Sequence, residues 1–391
     1  MRKFSAQYIF TNAGKPLKRG IITTDDDGVI ISVADTRGAL VESHSVEFYN
    51  GVIIPGFVNC HCHLELSHLK GEIEEHKGLG YFIEQVISKR DFAQNDIASA
   101  AANADMEMFQ EGIALCADIC NNDSSFPIKQ NSRIKYINLL ETFGLDSANA
   151  QKRTDEIISI SKASKKHGLP FNFVPHSVYS TSLELFRTLK KLSHANRVTS
   201  IHFMETEVES EFLSSHTGSI ASTYKETGTM PSLPRLVKNH SDAVLNEIIP
   251  TGNLILVHNV FADNATITSI NKRTNLFWCL CPASNIYIEK KLPPAYMLKE
   301  ENCSIVIGTD SLASNKKLSV LEELKILQNH FPSISLEELI KWATINGAAA
   351  LDETSSFGSI EPNKKPGLAL ISEMDMVNMK LQPESFVTRL I

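Results

Sequence analysis

The chain has 391 residues, 42% of them hydrophobic, and a formal net charge of −7. That is enough to bury one core of barrel size with a smaller companion, or two to three ordinary domains, and the acidic balance offers no basic field for nucleic acid or anionic lipid. No apolar stretch is long enough to span a bilayer, the first residues turn polar too early for the core of a signal peptide, and seven cysteines without a small-domain framework read as reduced thiols, so the expected location is the cytoplasm.

The first 50 or so residues read as a small β unit. Short β-rich runs stand at 8–10, 20–24 and 29–33, with Asp25-Asp26-Asp27-Gly28 as a hairpin turn between the last two. The apolar run at 52–58 then reads as one buried strand leading into His61-Cys62-His63. Side chains alternate along a strand, so His61 and His63 are expected on one side and Cys60 and Cys62 on the other. After it, helical stretches such as 79–90 and 95–111 alternate with short apolar runs at 113–117, 134–140, 171–174, 198–201, 254–257, 276–280 and 304–307. With the strand before His61 this makes eight β-then-α units over roughly 300 residues, the count and size of a (β/α)8 barrel. A helical segment over 336–350 closes that region, and β character returns at 358–360, 367–371 and 386–388. The expected fold is α/β: a distorted (β/α)8 TIM barrel over 55–352, with residues 1–54 and 353–391 joined in one small discontinuous β-sandwich domain.

In such a barrel the chemistry gathers at the C-terminal ends of the strands. His61 and His63 follow the first strand, Glu141 the third, His176 the fourth, His202 and then Glu205 the fifth, His258 the sixth and Asp310 the eighth. His194, His216 and His240 fall in helical or loop stretches instead. Any one of these positions reads as readily as a hydrogen-bonded core histidine or a solvated carboxylate; the joint pattern does not. Three imidazoles and a carboxylate make a mostly nitrogen site for one divalent metal ion, zinc foremost, with iron(II) or manganese as substitutes. Such an ion lowers the pKa of a bound water toward neutrality, and Glu205, three residues past His202, is placed to carry protons. His258 reads equally as a fourth nitrogen ligand or as a second proton carrier.

The ordered series Pro55-Gly56-Phe57-Val58-Asn59-Cys60-His61-Cys62-His63, Pro175-His176-Ser177, His202-Phe203-Met204-Glu205, Val257-His258-Asn259, Cys281-Pro282-Ala283-Ser284-Asn285 and Gly308-Thr309-Asp310-Ser311 resembles the amidohydrolase superfamily. The similar branch holds cytosine deaminase, guanine deaminase, S-adenosylhomocysteine deaminase and the triazine chlorohydrolases. The resemblance implies that His61, His63, His202 and Asp310 ligate one metal and that Glu205 shuttles protons. It further implies that His258 assists the attacking water without binding metal tightly, and that His176 touches the substrate. Glu141 and Ser311, beside these motifs, are expected to face substrate too, and Asp310 counts among the catalytic residues. Two-metal relatives carry a carboxylated lysine near the position of His176, which points here to a single ion. The tail departs from the family's Gly-Lys-x-Ala-Asp, with Pro362-Asn363-Lys364-Lys365-Pro366-Gly367 in its place, so the small domain is expected to pack differently.

The activity implied is hydrolysis of a non-peptide C–N bond, namely deamination of an aminated purine or nucleoside-like heterocycle. His63-Leu64-Glu65-Leu66-Ser67, with Gly78-Leu79-Gly80-Tyr81-Phe82 further on, is similar to the aminodeoxyfutalosine deaminases, which remove the amino group from an adenine ring. Glu65 and Ser67 read otherwise as a structural link from strand end to first helix. Amide or halide hydrolysis at the same site is the alternative chemistry. An inactive barrel serving as a scaffold is the third reading, against which the complete ligand set argues. The zincin pattern His-Glu-x-x-His is absent, and the cysteines lack the spacing of the small cytidine-type zinc deaminases. Stretches 206–253 and 284–298 are expected to cover the site, with Arg235 and Tyr287 as substrate contacts. Such relatives often form homodimers, but no stretch here shows an interface.

Overall fold

The computed structural model describes residues 1–39, 45–90, 94–226 and 252–391. The chain opens with β1 (Arg2–Ile9), β2 (Leu17–Lys18), β3 (Ile21–Thr24), β4 (Ile30–Ala34) and β5 (Val46–Pro55). Eight more strands follow: β6 (Phe57–Cys62), β7 (Ile113–Cys120), β8 (Lys135–Thr142), β9 (Phe171–Pro175), β10 (Val198–Phe203), β11 (Asn253–His258), β12 (Leu276–Leu280) and β13 (Ile305–Ile307). The chain then returns to the first group with β14 (Leu368–Ser372) and β15 (Phe386–Arg389).

The strands of the two termini form one seven-stranded sheet, ordered β15-β14-β5-β1-β3-β4 with β2 on β1. In place of the two facing layers of the anticipated sandwich, the described strands of this small domain form a single sheet over a core of Phe4, Ile9, Ile22, Ile53, Ile360 and Leu370. The Asp25–Gly28 turn forms as expected: Asp25 Oδ1 accepts the amides of Asp27 and Val29, and Gly28 takes a φ of +84°.

The run at 52–58, expected as one strand, is two. β5 pairs with β14 in the small sheet, whereas β6 begins the barrel. Pro55 has no amide to continue a ladder, and at Gly56 an added Cβ would lie 2.6 Å from the Ala114 Cβ and 2.7 Å from the Pro366 carbonyl oxygen. The Gly56 amide donates to that carbonyl, and Asn363 and Lys364 pair with Ile30. The tail segment that departs from the family pattern therefore pins the crossover between the two domains.

The barrel consists of two parallel four-stranded sheets, β6-β7-β8-β9 and β10-β11-β12-β13. Single bridges join them, Cys62 to Asp310 on one seam and Ser177 to His202 on the other. Asn59 reinforces the first seam, donating to the Thr309 hydroxyl at 2.8 Å and accepting the Thr309 amide at 3.1 Å. One apolar cluster takes residues from all eight strands, among them Val58, Leu115, Leu139, Val174, Val198, Val257, Cys279 and Val306, and is closed below by Ala348 and Leu351. This is the barrel interior, and the distortion of the ring lies in its two thin seams.

The helical segment expected over 336–350 is two helices, Leu336–Trp342 and Ile345–Ala350. Thr344 breaks it with φ −137° and ψ −86°, its hydroxyl turned back onto the Ile340 carbonyl. No helix among the described residues is long and apolar enough to cross a membrane.

Candidate active site

The first strand end is not a regular strand. The register of β6 on β7 slips between Asn59 and Cys62, where three residues of β6 span two of β7. This bulge breaks the expected alternation: Cys60 packs inside the barrel with Val58, Cys62 packs outside, and His61 and His63 still converge. Their Nε2 atoms lie 3.2 Å apart, and each is about as far from Asp310 Oδ1, at 3.6 Å and 3.5 Å. The ligand atoms of His61, His63 and His202 all lie within 4.8 Å of one another.

Each of these side chains is held by what lies behind it. The His202 Nδ1 is 2.9 Å from the His176 carbonyl oxygen, an atom that only accepts, so the proton sits on Nδ1 and Nε2 offers its lone pair. Asp310 Oδ2 accepts the hydroxyls of Ser284 at 2.6 Å and Ser314 at 2.8 Å, which leaves Oδ1 to face the histidine pair. Burial pushes the Asp310 carboxyl up, but His61, His63 and His258 around it outweigh that and hold it well below the usual carboxylate range. Burial, with the neighbouring imidazoles, holds His202 neutral well below the ordinary histidine range. Three ring nitrogens and one ionised oxygen thus point into one buried space, a donor set that a divalent cation satisfies.

The remaining mouth residues surround this cluster. Glu205, on the bend after β10, lies with Oε1 3.6 Å from His258 Nε2. Burial, and then the charges of Asp310 and Glu209, push its pKa well above that of an exposed carboxylate. His258 stacks on His202 with ring centroids 5.3 Å apart, and burial lowers its pKa to about 3. Met204, His258, Asn259 and Asp310 all take φ between +48° and +76°, so three strand ends turn sharply at the site.

On the other flank, Glu141 Oε2 is 3.0 Å from His176 Nδ1 and accepts the Asn121 side-chain amide at 3.1 Å. Burial opposes charge on both partners, yet their mutual attraction lowers Glu141 and raises His176. A cavity of about 160 Å³ opens beside Glu141 and Asn121 and is lined by Arg90, Phe143 and Arg153.

Several expected residues lie elsewhere. Ser311 is buried behind Asp310, with its hydroxyl 3.4 Å from that of Ser314. Tyr287 donates to the Ile73 carbonyl and ties a helix to a loop. Much of the stretch at 284–298, expected as a cover, is helical. Arg235 and His240 lie outside the described residues. Glu65 does link elements, but toward the next strand end: it accepts the backbone amides of Asn121 and Asn122.

Three supports escaped the reading of the sequence. Ser284 and Asn285, quoted only as part of a motif, touch Asp310 and His258. Behind His63, the fully buried Lys129 and Asp118 form an ion pair, and Asp118 Oδ1 accepts the Leu64 amide at 2.8 Å. A lysine three residues into a short helix carried no signal for this; an aspartate interrupting the buried strand β7 did.

The description of the Amidohydrolase family matches residues 52–387. The chain belongs to the amidohydrolase family. Amidohydrolases are metal-dependent, and the convergent histidines of this one fit that requirement. The adenosine deaminase of Helicobacter pylori is 25% identical over 353 residues, covering 88% of this chain and 85% of that protein. The solved aminofutalosine deaminase of Helicobacter pylori, in complex with methylthio-coformycin, superposes with a TM-score of 0.80 at 22% identity, covering 98% and 94% of the two chains. An adenosine deaminase of Xanthomonas campestris with bound zinc superposes with a TM-score of 0.70 at 20% identity, covering 98% of this amidohydrolase and 86% of that chain.

Proposed function

We propose that this amidohydrolase removes the amino group of an adenine-bearing nucleoside by hydrolysis, with one zinc ion held by His61, His63, His202 and Asp310. The observation that carries the reading is the pairing of that convergent donor set with Glu205, a buried carboxyl at the edge of the same space, 3.6 Å from His258 and with its pKa raised by burial. The ion, when bound, supplies Lewis acidity that brings the pKa of water from about 16 toward neutrality.

The protein's own groups do the rest. Glu205 donates its proton from the carboxyl to the ring nitrogen beside the amine-bearing carbon as water adds there. The same carboxylate then collects one proton from the added water and hands it to the departing amine, and takes back the second as the carbonyl forms, which restores the carboxyl. The C–N bond breaks, a carbonyl replaces the amine, and ammonia leaves. Asp310, held ionised by its neighbours and by two hydroxyls, keeps one oxygen turned toward the centre. His176, drawn toward its charged form by Glu141, is a donor for an acceptor on the substrate.

The names of the similar proteins, adenosine and aminofutalosine deaminases, support an adenine ring as the reacting group. The cavity beside Glu141, lined by Phe143 and by Arg153 paired with Glu156, supports a nucleoside with a further substituent over a free base.

The test is ammonia release by zinc-loaded protein from adenine, adenosine, S-adenosylhomocysteine, aminofutalosine, guanine, cytosine and amino-triazines. Release from one adenine-bearing compound supports the proposal. Silence across the panel with zinc bound one to one refutes it and moves the reading to amide or halide hydrolysis.

A further inference from the structure

Two stacked imidazoles at the centre of the site are held by opposite kinds of partner. His202 presents Nδ1 to a backbone carbonyl, which fixes its proton there. His258 presents Nδ1 to the side-chain amide nitrogen of Asn285, 3.0 Å away, with both residues buried. An amide nitrogen only donates. His258 Nδ1 must therefore offer a lone pair, and the proton of the neutral ring lies on Nε2.

The orientation of the amide follows from hydrogen-bond accounting. Asn285 Oδ1 is buried without a hydrogen-bond partner. With the nitrogen toward the ring, one of its two donors is used on Nδ1; turning the amide over would leave both donors to find acceptors away from the ring. Buried donors without partners are rarer and costlier than a carbonyl in the same state. The other ring nitrogen, His258 Nε2, is turned toward the reacting centre, 3.6 Å from the carboxyl of Glu205.

We propose that Asn285 is a positioning residue that sets His258 as its Nε2–H tautomer, which bars this ring from ligating the metal and makes it a hydrogen-bond donor at the reacting centre. The tautomer stands on the geometry alone; the role assigned to it rests on the proposed deaminase. The partition is then complete: His202 and His258 lie ring against ring, yet the first is a lone-pair ligand and the second a donor. Ser284, the residue before Asn285, aligns Asp310 through its hydroxyl. The start of the helix Pro282–Glu289 thus orients two site residues borne by two different strands.

The experiment is nitrogen-15 spectroscopy of protein labelled at its histidine side chains, with His258 assigned by the signals lost in His258→Gln. In metal-free wild type, Nδ1 of His258 should resonate as an unprotonated ring nitrogen and Nε2 as a protonated one. Asn285→Asp turns the donor into an acceptor and should exchange the two assignments. With cobalt(II) in place of zinc, the same variant should show a changed d–d absorption as Nε2 becomes able to ligate, and kcat should fall by about 100-fold or more.

A protonated Nδ1 in the wild type overturns the proposal. Unchanged assignments in a folded Asn285→Asp overturn it as well. These outcomes are read without metal or substrate, so they stand apart from the ammonia test: a protein that releases no ammonia but shows the expected tautomer keeps this inference and loses the proposed function.

Discussion

Replacing Lys129 by methionine probes the support beneath His63. Methionine nearly matches the lysine stem but removes the charge, and it leaves Asp118 fully buried with the Leu64 amide and the weakly donating Cys120 thiol as its remaining partners. Stranding one member of a buried ion pair costs about 3–5 kcal/mol, whereas removing both charges together costs far less. Lys129 also donates to Asn138 Oδ1 at 2.9 Å, so the upper part of that range applies. Adding Asp118→Asn removes the stranded charge and keeps an acceptor for the Leu64 amide; it should recover at least about half of the loss, a coupling of the size expected for groups in contact. Urea unfolding read from the buried Trp278 and Trp342 measures both variants. Because the Leu64 amide follows His63 directly, Lys129→Met should also weaken zinc binding about 10-fold or more, the usual effect of disturbing the group behind a ligand. A single variant within about 1 kcal/mol of wild type, or a double variant no better than the single, refutes the reasoning.

Glu205→Gln should retain zinc, measured by metal analysis, and lose about 10²–10⁴-fold in kcat; near-normal turnover would remove Glu205 from the chemistry. Gly308→Ala would place a Cβ 2.8 Å from the His61 Cβ and 2.9 Å from the Cys279 sulfur, so it should cost about 1–3 kcal/mol and weaken zinc binding together. An unchanged urea midpoint would mean that the neighbours give way freely. Burial lifts the Glu323 carboxyl from an ordinary 4.5 to about 8, so across that interval the folded chain holds a proton that the unfolded chain has released. Its contribution to stability is full at and below about 4.5 and is lost as pH rises toward about 8, and Glu323→Gln should flatten that decline in urea midpoints taken across the interval.

The eight barrel strands were legible because each is a short apolar run, six of them leading to a polar residue at the mouth. Length and the position of the break carry that information, and the observed strands start and stop within a few residues of the runs. His61, His63, His202 and Asp310 come together because strand ends converge in a barrel, so position along the strand was enough. What failed was strict alternation. The bulge between Asn59 and Cys62 turns Cys60 inward, and period two does not register an inserted residue. The break at Gly56 was hidden inside seven apolar residues, since the reason for it, the approach of Ala114 and Pro366, lies far away in sequence. The same holds for Asn285 and Lys129: their partners are 27 and 11 residues distant, and only folding makes them neighbours.

The two thin seams of the barrel have a consequence for the metal-free chain. Each half is a well-laddered sheet of four strands, but across each seam the described strands share one bridge, at Asp310 and at His202, supplemented by side-chain hydrogen bonds of Asn59, Asn172 and Asn196. His61 and His63 belong to one half; His202 and Asp310 belong to the other. An ion held by all four would act as a rivet driven through both edges of a ring that is otherwise lightly stitched. Loading would then tighten both seams at once, and amides along them should exchange more slowly in the loaded chain than in the metal-free one.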